Sequence, residues 1–137
     1  MLGSLARKLR IFGYDTLFFR DGSDADLENV AIAEGRVIVT GDRALTEHAN
    51  RRGLLTLLVD GDSDRARLAC LFAQARSVSL FLRAGGPRCA ICNSGLERVS
   101  RGVAEASLPN TVAARHRLFF RCQTCNKLYW RGGHWTS

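Results

Sequence analysis

Two C-x-x-C pairs constrain this chain more than any other feature. Cys89-Ala90-Ile91-Cys92-Asn93 and Cys122-Gln123-Thr124-Cys125-Asn126 are near copies of one another, with 29 residues between Cys92 and Cys122. Two residues between cysteines let a tight turn aim both sulfurs at one ion. Two such turns supply the four thiolates of a tetrahedral zinc site with bonds of ~2.3 Å. Four protein ligands leave no open position, so the expected Zn²⁺ is structural. A redox dithiol or chance spacing is the competing reading. Leu118-Phe119-Phe120 leads into the second pair, and Leu128-Tyr129-Trp130 leaves it, as strands would. The expectation is two knuckles on a small β scaffold, with no helical period between them. The fifth cysteine, Cys70, lies in an apolar helical run and reads as a small buried hydrophobe.

Charge divides the chain at the same place. The net charge is +7. Residues 1–86 carry 12 Lys/Arg against 11 Asp/Glu, whereas residues 87–137 carry 8 Lys/Arg against only Glu97 and Glu105. A basic excess confined to one segment suits a polyanion such as a nucleic acid, and the alternative is a merely soluble surface. Arg121, Lys127 and Arg131 supply charge there. Trp130 and Trp135, near Arg131 and His134, are placed either to stack on bases or to form the ribbon's core. With 46% hydrophobic and 24% charged residues the chain is globular rather than disordered. No apolar run approaches the ~20 residues of a membrane helix. Met1 to Arg10 has basic residues but no long apolar core of a signal peptide, so a cytoplasmic location is expected.

The first 86 residues alternate between helical and extended patterns. Leu2, Leu5, Ala6, Leu9 and Phe12 recur at helical spacing, with Arg7, Lys8 and Arg10 on other faces and Gly13 as a stop. Asp15 to Phe19 reads as a short strand. A second helix follows Ser23 or Asp24 as N-cap, turns Leu27, Val30 and Ala31 inward, and ends at Gly35. Val37-Ile38-Val39 has the β-branched run of a buried parallel strand. A helix from about Arg43 to Arg52 and a strand from Leu54 to Val59 come next. A further helix spans Arg65 to about Arg76, with Leu68, Ala69 and Phe72 facing in. Val78 to Leu82 is a strand or an extended link, and Ala84-Gly85-Gly86-Pro87 is a break. Strands alternating with helices predict a parallel sheet flanked by helices.

Aspartates collect at the strand-to-helix junctions. Asp24, Asp26 and Asp42 each sit at one, and Asp60, Asp62 and Asp64 follow a later strand. In an open α/β sheet these junctions share the edge where ligands bind. Carboxylates gathered there suit Mg²⁺ or Mn²⁺, and such ions serve phosphodiester hydrolysis. The structural alternative is ordinary capping of helix starts. No P-loop or dinucleotide loop is present, and His48, His116 and His134 have no evident triad partner.

Four segments in order resemble the Mut7-C domain family. They are Met1 to Arg10 with Phe12 to Thr16, Gly35 to Leu45, Cys89 to Asn93, and Tyr129-Trp130-Arg131-Gly132-Gly133-His134-Trp135. The resemblance covers nearly the whole chain. It implies a PIN-like ribonuclease fold with a fused zinc ribbon, in which Asp24 and Asp42 are acidic metal ligands, Asp26 a neighbouring candidate and Thr40 a support for Asp42. Asp60 or Asp62 is a looser match to a further acid. The family normally has a strand ending in Asp before the Met-Leu-Gly segment. The expectation is therefore a sheet lacking its first strand and first acidic ligand. A start assigned at an internal methionine would account for this, and so would a chain that has lost catalysis and kept binding. The family also often has Ser at Gly133 and Arg at Gly41.

Together these readings predict an α/β, PIN-like domain over residues 1–86 and a four-cysteine β zinc ribbon over 87–137. The function expected is a Mg²⁺- or Mn²⁺-dependent ribonuclease with Asp24, Asp42 and Asp26 as its acids. The alternative is a non-catalytic RNA- or protein-binding module derived from one.

Overall fold

The computed structural model describes residues 2–130, so Arg131, His134 and Trp135 lie outside the described residues. The chain forms two compact units. One consists of Met1–Leu5 and Leu17–Arg83, the other of Ala6–Thr16 and Ala84–Ser137. The first helix, α1 (Leu2–Ile11), contributes residues to both. It buries Leu5, Ala6, Leu9 and Ile11. Phe12 was expected inside and is 43% exposed, while Arg10, expected outside, is 8% exposed.

In the first unit, α2 (Asp24–Glu34) begins at Ser23, whose hydroxyl accepts from the Asp26 N–H. Asp26 Oδ2 accepts from the Ser23 N–H in return, completing a capping box. The helix stops at Gly35, which sits in the left-handed region at φ 63°. Strand β1 (Ile38–Thr40), helix α3 (Arg43–Arg51) and strand β2 (Thr56–Leu58) follow. β1 and β2 pair in parallel, with Ile38 opposite Thr56 and Thr40 opposite Leu58. Helix α4 (Asp64–Ser77) is capped by Ser63 and buries Leu71 and Ala75. Leu68 and Phe72 are half-buried and Ala69 is exposed, so the inward stripe lies one step round from the expected one. Ala31, Ile38 and Ala49 form a core cluster with Leu27 and Leu54 packed against it. Cys70 is half-buried, with its sulfur 3.5 Å from the Leu58 carbonyl oxygen.

The strand expected at Asp15 to Phe19 does not form, and Val78 to Leu82 takes the link alternative rather than the strand. Residues 14–20 and 78–83 are irregular, because a β-branched or aromatic run becomes a strand only when a neighbour supplies a ladder. In the second unit the Thr16 N–H is instead taken by the Asn93 side chain, at 3.0 Å.

The second unit carries an antiparallel sheet of β3 (Leu96–Val99), β4 (Phe119–Cys122) and β5 (Leu128–Trp130), with β4 in the middle. Leu96 lies opposite Cys122, and Phe120 opposite both Arg98 and Tyr129. Leu96, Phe120, Cys122 and Tyr129 contribute to one cluster with Ile11, Cys89 and Ala90. Phe119, one residue out of phase and so on the other face, is 1% exposed. Between β3 and β4 the chain forms α5 (Arg101–Ser107) and α6 (Asn110–Arg115), where no helix was expected. These helices are too short to show a period. Arg101 ties them together by donating from Nε and Nη2 to the Ala113 carbonyl, at 3.2 and 2.8 Å.

Candidate functional site

The two cysteine pairs fold as matched knuckles. In the first, the Asn93 N–H donates to the Cys89 carbonyl (2.9 Å) and the Cys89 N–H to the Ser94 carbonyl (2.8 Å). In the second, Asn126 donates to Cys122 (3.0 Å) and Cys122 to Lys127 (2.9 Å). Each turn reverses at an asparagine with φ near +65°, at 67° for Asn93 and 63° for Asn126. Asparagine tolerates that conformation better than other residues with a side chain. This is the physical content of the repeated C-x-x-C-N.

All four sulfurs lie within 4.8 Å of one another. Cys89 and Cys125 are 3.6 Å apart, and Cys92 and Cys122 are 3.4 Å apart. A tetrahedron with ~2.3 Å metal–sulfur bonds has edges of about 3.8 Å, so the donor set fits zinc in size and in ligand type. None of the four is in a disulfide. The protein also turns donors toward the sulfurs. The Tyr129 hydroxyl is 3.0 Å from Cys89 Sγ, and the N–H groups of Thr124 and Cys125 are each 3.4 Å from Cys122 Sγ.

These surroundings separate the thiols. Hydrogen bonds from the Ser94 side chain and backbone bring Cys92 down to about 6. Burial pushes Cys122 up to about 11. At Cys89 burial acts upward, but Tyr129 and the N–H groups of Cys92 and Ile91 outweigh it and the thiol is lowered. Coordination requires all four as thiolates, so metal binding would displace protons, that of Cys122 among them.

The acidic residues have individual roles. Asp42 follows β1 directly and N-caps α3, its Oδ1 accepting from the Leu45 N–H at 3.2 Å. Its own N–H donates to Thr40 Oγ1 at 3.0 Å, which ties the two residues together. Asp24 is exposed in the first turn of α2, and Asp26 completes the capping box. Asp60 accepts from the Gly61 N–H, and Asp64 accepts from the Ser4 hydroxyl and pairs with Arg67. Among the described residues, the cysteines are the one group of three or more His, Cys, Asp or Glu side chains arranged to hold a metal. Arg121 pairs with Glu97 at 3.2 Å, and Lys127 Nζ lies 5.4 Å from the centre of the Tyr129 ring.

The family model for the Mut7-C RNAse domain matches residues 1–137. The chain belongs to the Mut7-C RNAse domain family. No curated protein and no solved structure matches it. Among the described residues of this Mut7-C chain, no helix is long and apolar enough to cross a membrane.

Three residues of this Mut7-C domain escape a reading of the sequence. Glu28 is fully buried, accepting from His48 Nδ1 at 2.6 Å and from Arg52 Nη1 at 2.5 Å. Those bonds hold its carboxyl below the usual range, the His48 bond most strongly. Arg10 is buried against the first knuckle. Burial lowers its guanidinium, while Cys89 and Cys92 act in the opposite direction. Tyr129 is buried with its hydroxyl raised, first by burial and then by Cys89. A charged residue's place depends on partners far along the chain, and periodicity carries no signal for it. For Tyr129 the available signal was its place in the strand leaving the second cysteine pair.

Proposed function

We propose that this Mut7-C domain is a ribonuclease that hydrolyses RNA phosphodiesters with Mg²⁺ or Mn²⁺ held by Asp24 and Asp42. The observation that carries this reading is the ribonuclease-family match across residues 1–137. The position of Asp42 supports it. The residue is exposed just past the carboxyl end of β1, and its cap uses Oδ1 alone. Carboxylate oxygens are the donors such ions take, and one or two suffice where water and substrate phosphate complete the shell. Bound there, the ion would supply an activated water and stabilise the leaving oxygen. Asp24 and Asp42 would orient it, Asp26 would hold the start of α2, and Thr40 would fix the backbone of Asp42. Arg121 and Lys127, with Arg131, His134 and Trp135, would hold RNA phosphates and bases through the basic second unit.

One observation favours a second reading, a non-catalytic RNA-binding module. Asp24, Asp26 and Asp42 join no group of three or more potential ligands among the described residues. Mn²⁺-dependent cleavage of a labelled single-stranded RNA separates the two readings. Asp42→Asn is a clean probe, because asparagine caps a helix about as well as aspartate. The nuclease reading expects cleavage to fall to background in Asp42→Asn with an unchanged unfolding midpoint. Undiminished cleavage by that variant would sink it. Salt-sensitive RNA binding without cleavage, even with the family's first strand and its Asp added ahead of Met1, would establish the module.

A further inference from the structure

We infer that Arg10 belongs to the metal centre as a positioning residue. Its buried guanidinium balances the charge of the four thiolates and braces the first knuckle from the far side of its peptide planes.

The bracing is direct. Arg10 Nη1 donates to the carbonyl oxygens of Ala90 (2.8 Å) and Ile91 (3.3 Å), eighty residues or more further along the chain. Its Nε donates to the Thr16 carbonyl at 2.8 Å, and its own carbonyl accepts from the Arg88 N–H at 2.9 Å. Ala90 and Ile91 are the two residues inside the first C-x-x-C. The peptide units that offer their oxygens to Arg10 are therefore the ones whose N–H groups, on Ile91 and Cys92, face the sulfur of Cys89. A cation on the oxygen side polarises each unit and strengthens its N–H as a donor to a thiolate. The guanidinium thus acts on the sulfur through two peptide planes, without touching it.

The charges at the site assign Arg10 the same role independently of its hydrogen bonds. Zn²⁺ with four thiolates carries −2, and Cys89 and Cys122 have no solvent exposure. A buried net charge is unfavourable unless a counter-charge lies nearby. Arg10 is itself 8% exposed, and its direct partners among the described residues are neutral carbonyls. Among negative groups, Cys89 and Cys92 act on it more strongly than Asp15 does. Among the described residues, no side chain donates to the backbone carbonyls inside the second knuckle. Its corresponding residues, Gln123 and Thr124, are exposed. Two near-identical turns are therefore braced unequally, and the first depends on a residue of α1.

The test uses the full chain loaded with Zn²⁺, with Arg10→Met, Arg10→Lys and Arg101→Met as variants. Arg101→Met cuts the α5–α6 tie in the same unit without touching the knuckles. Zinc affinity is read by competition with a chromophoric chelator, and the ligand set by the thiolate-to-cobalt absorption of the Co²⁺-substituted chain. Loss of a supporting partner of a metal ligand typically costs ~10–100-fold in affinity. Arg10→Met should lose affinity in that range with the four-thiolate spectrum retained. Arg10→Lys should fall between it and the unaltered chain, and Arg101→Met should leave affinity unchanged. Denaturant unfolding of the zinc-free chain should show a smaller effect of Arg10→Met than the loaded chain does. Equal losses in Arg10→Met and Arg101→Met, or equal destabilisation with and without zinc, would make Arg10 merely structural. If Arg10→Met does not fold, unaltered zinc affinity in Arg10→Lys overturns the inference and about tenfold weakening supports it.

Discussion

Tyr129→Phe removes one oxygen from a residue that is 2% exposed, and the consequence follows from what that oxygen does. It accepts from the Ala90 N–H at 3.0 Å and donates to Cys89 Sγ, also at 3.0 Å. A phenyl ring fills nearly the same space, so no large cavity forms. The Ala90 N–H, on a residue 8% exposed, is left without its acceptor, a loss of about 1–3 kcal/mol. The bond to sulfur adds about 0.5–1.5 kcal/mol, and more if the sulfur is a thiolate. The expected destabilisation of the zinc-loaded second unit is about 2–3 kcal/mol, or roughly 30–150-fold in its folding constant. Both tryptophans, Trp130 and Trp135, lie in the Ala84–Ser137 segment, so tryptophan fluorescence during denaturant unfolding reports on this unit. A midpoint shift worth less than ~0.5 kcal/mol would mean that the hydroxyl is neither the satisfier of Ala90 nor a support for Cys89, and the account of the knuckle would fail.

Two further perturbations test the packing. Gly13 has φ +97°, and a Cβ there would lie 2.2 Å from the Gly85 carbonyl oxygen, so Gly13→Ala must move backbone. The left-handed penalty alone is about 1–2 kcal/mol, so the same fluorescence assay should show at least that loss, and a neutral result would refute the Gly13–Gly85 approach. Glu28 is held below its ordinary value by His48 and then Arg52, so its contribution to stability is complete above the unfolded-state pKa near 4.5. It is lost as pH falls through the lower folded-state value. Acid unfolding of the first unit, followed by circular dichroism, should therefore lose part of its pH dependence below 4.5 in Glu28→Gln. An identical acid limb in that variant would contradict the buried pairing.

Helix starts and stops were readable locally, because the groups that satisfy a helix end are neighbours in the chain. Ser23 caps α2, Gly35 ends it, and Asp42 caps α3. The strands at Ile38–Thr40, Thr56–Leu58, Phe119–Cys122 and Leu128–Trp130 were legible from their apolar runs. Asp15 to Phe19 has an equally suitable composition and forms no strand, since pairing is a property of two segments. Helices α5 and α6 were missed because seven and six residues hold too few turns to establish a period.

The sequence by itself determined the four metal-ligand candidates, the knuckle turns that present them and the family. All three reside in short, contiguous spacings whose geometry is set within a few residues. Only the tertiary structure decided that Arg10 lies behind the first knuckle, that Tyr129 joins Ala90 to Cys89, and that Glu28 is buried between His48 and Arg52. Burial of a charge is decided by partners that arrive from elsewhere in the chain. The physical reason is that desolvation is tolerated only where such partners converge, and convergence is not written in any local pattern.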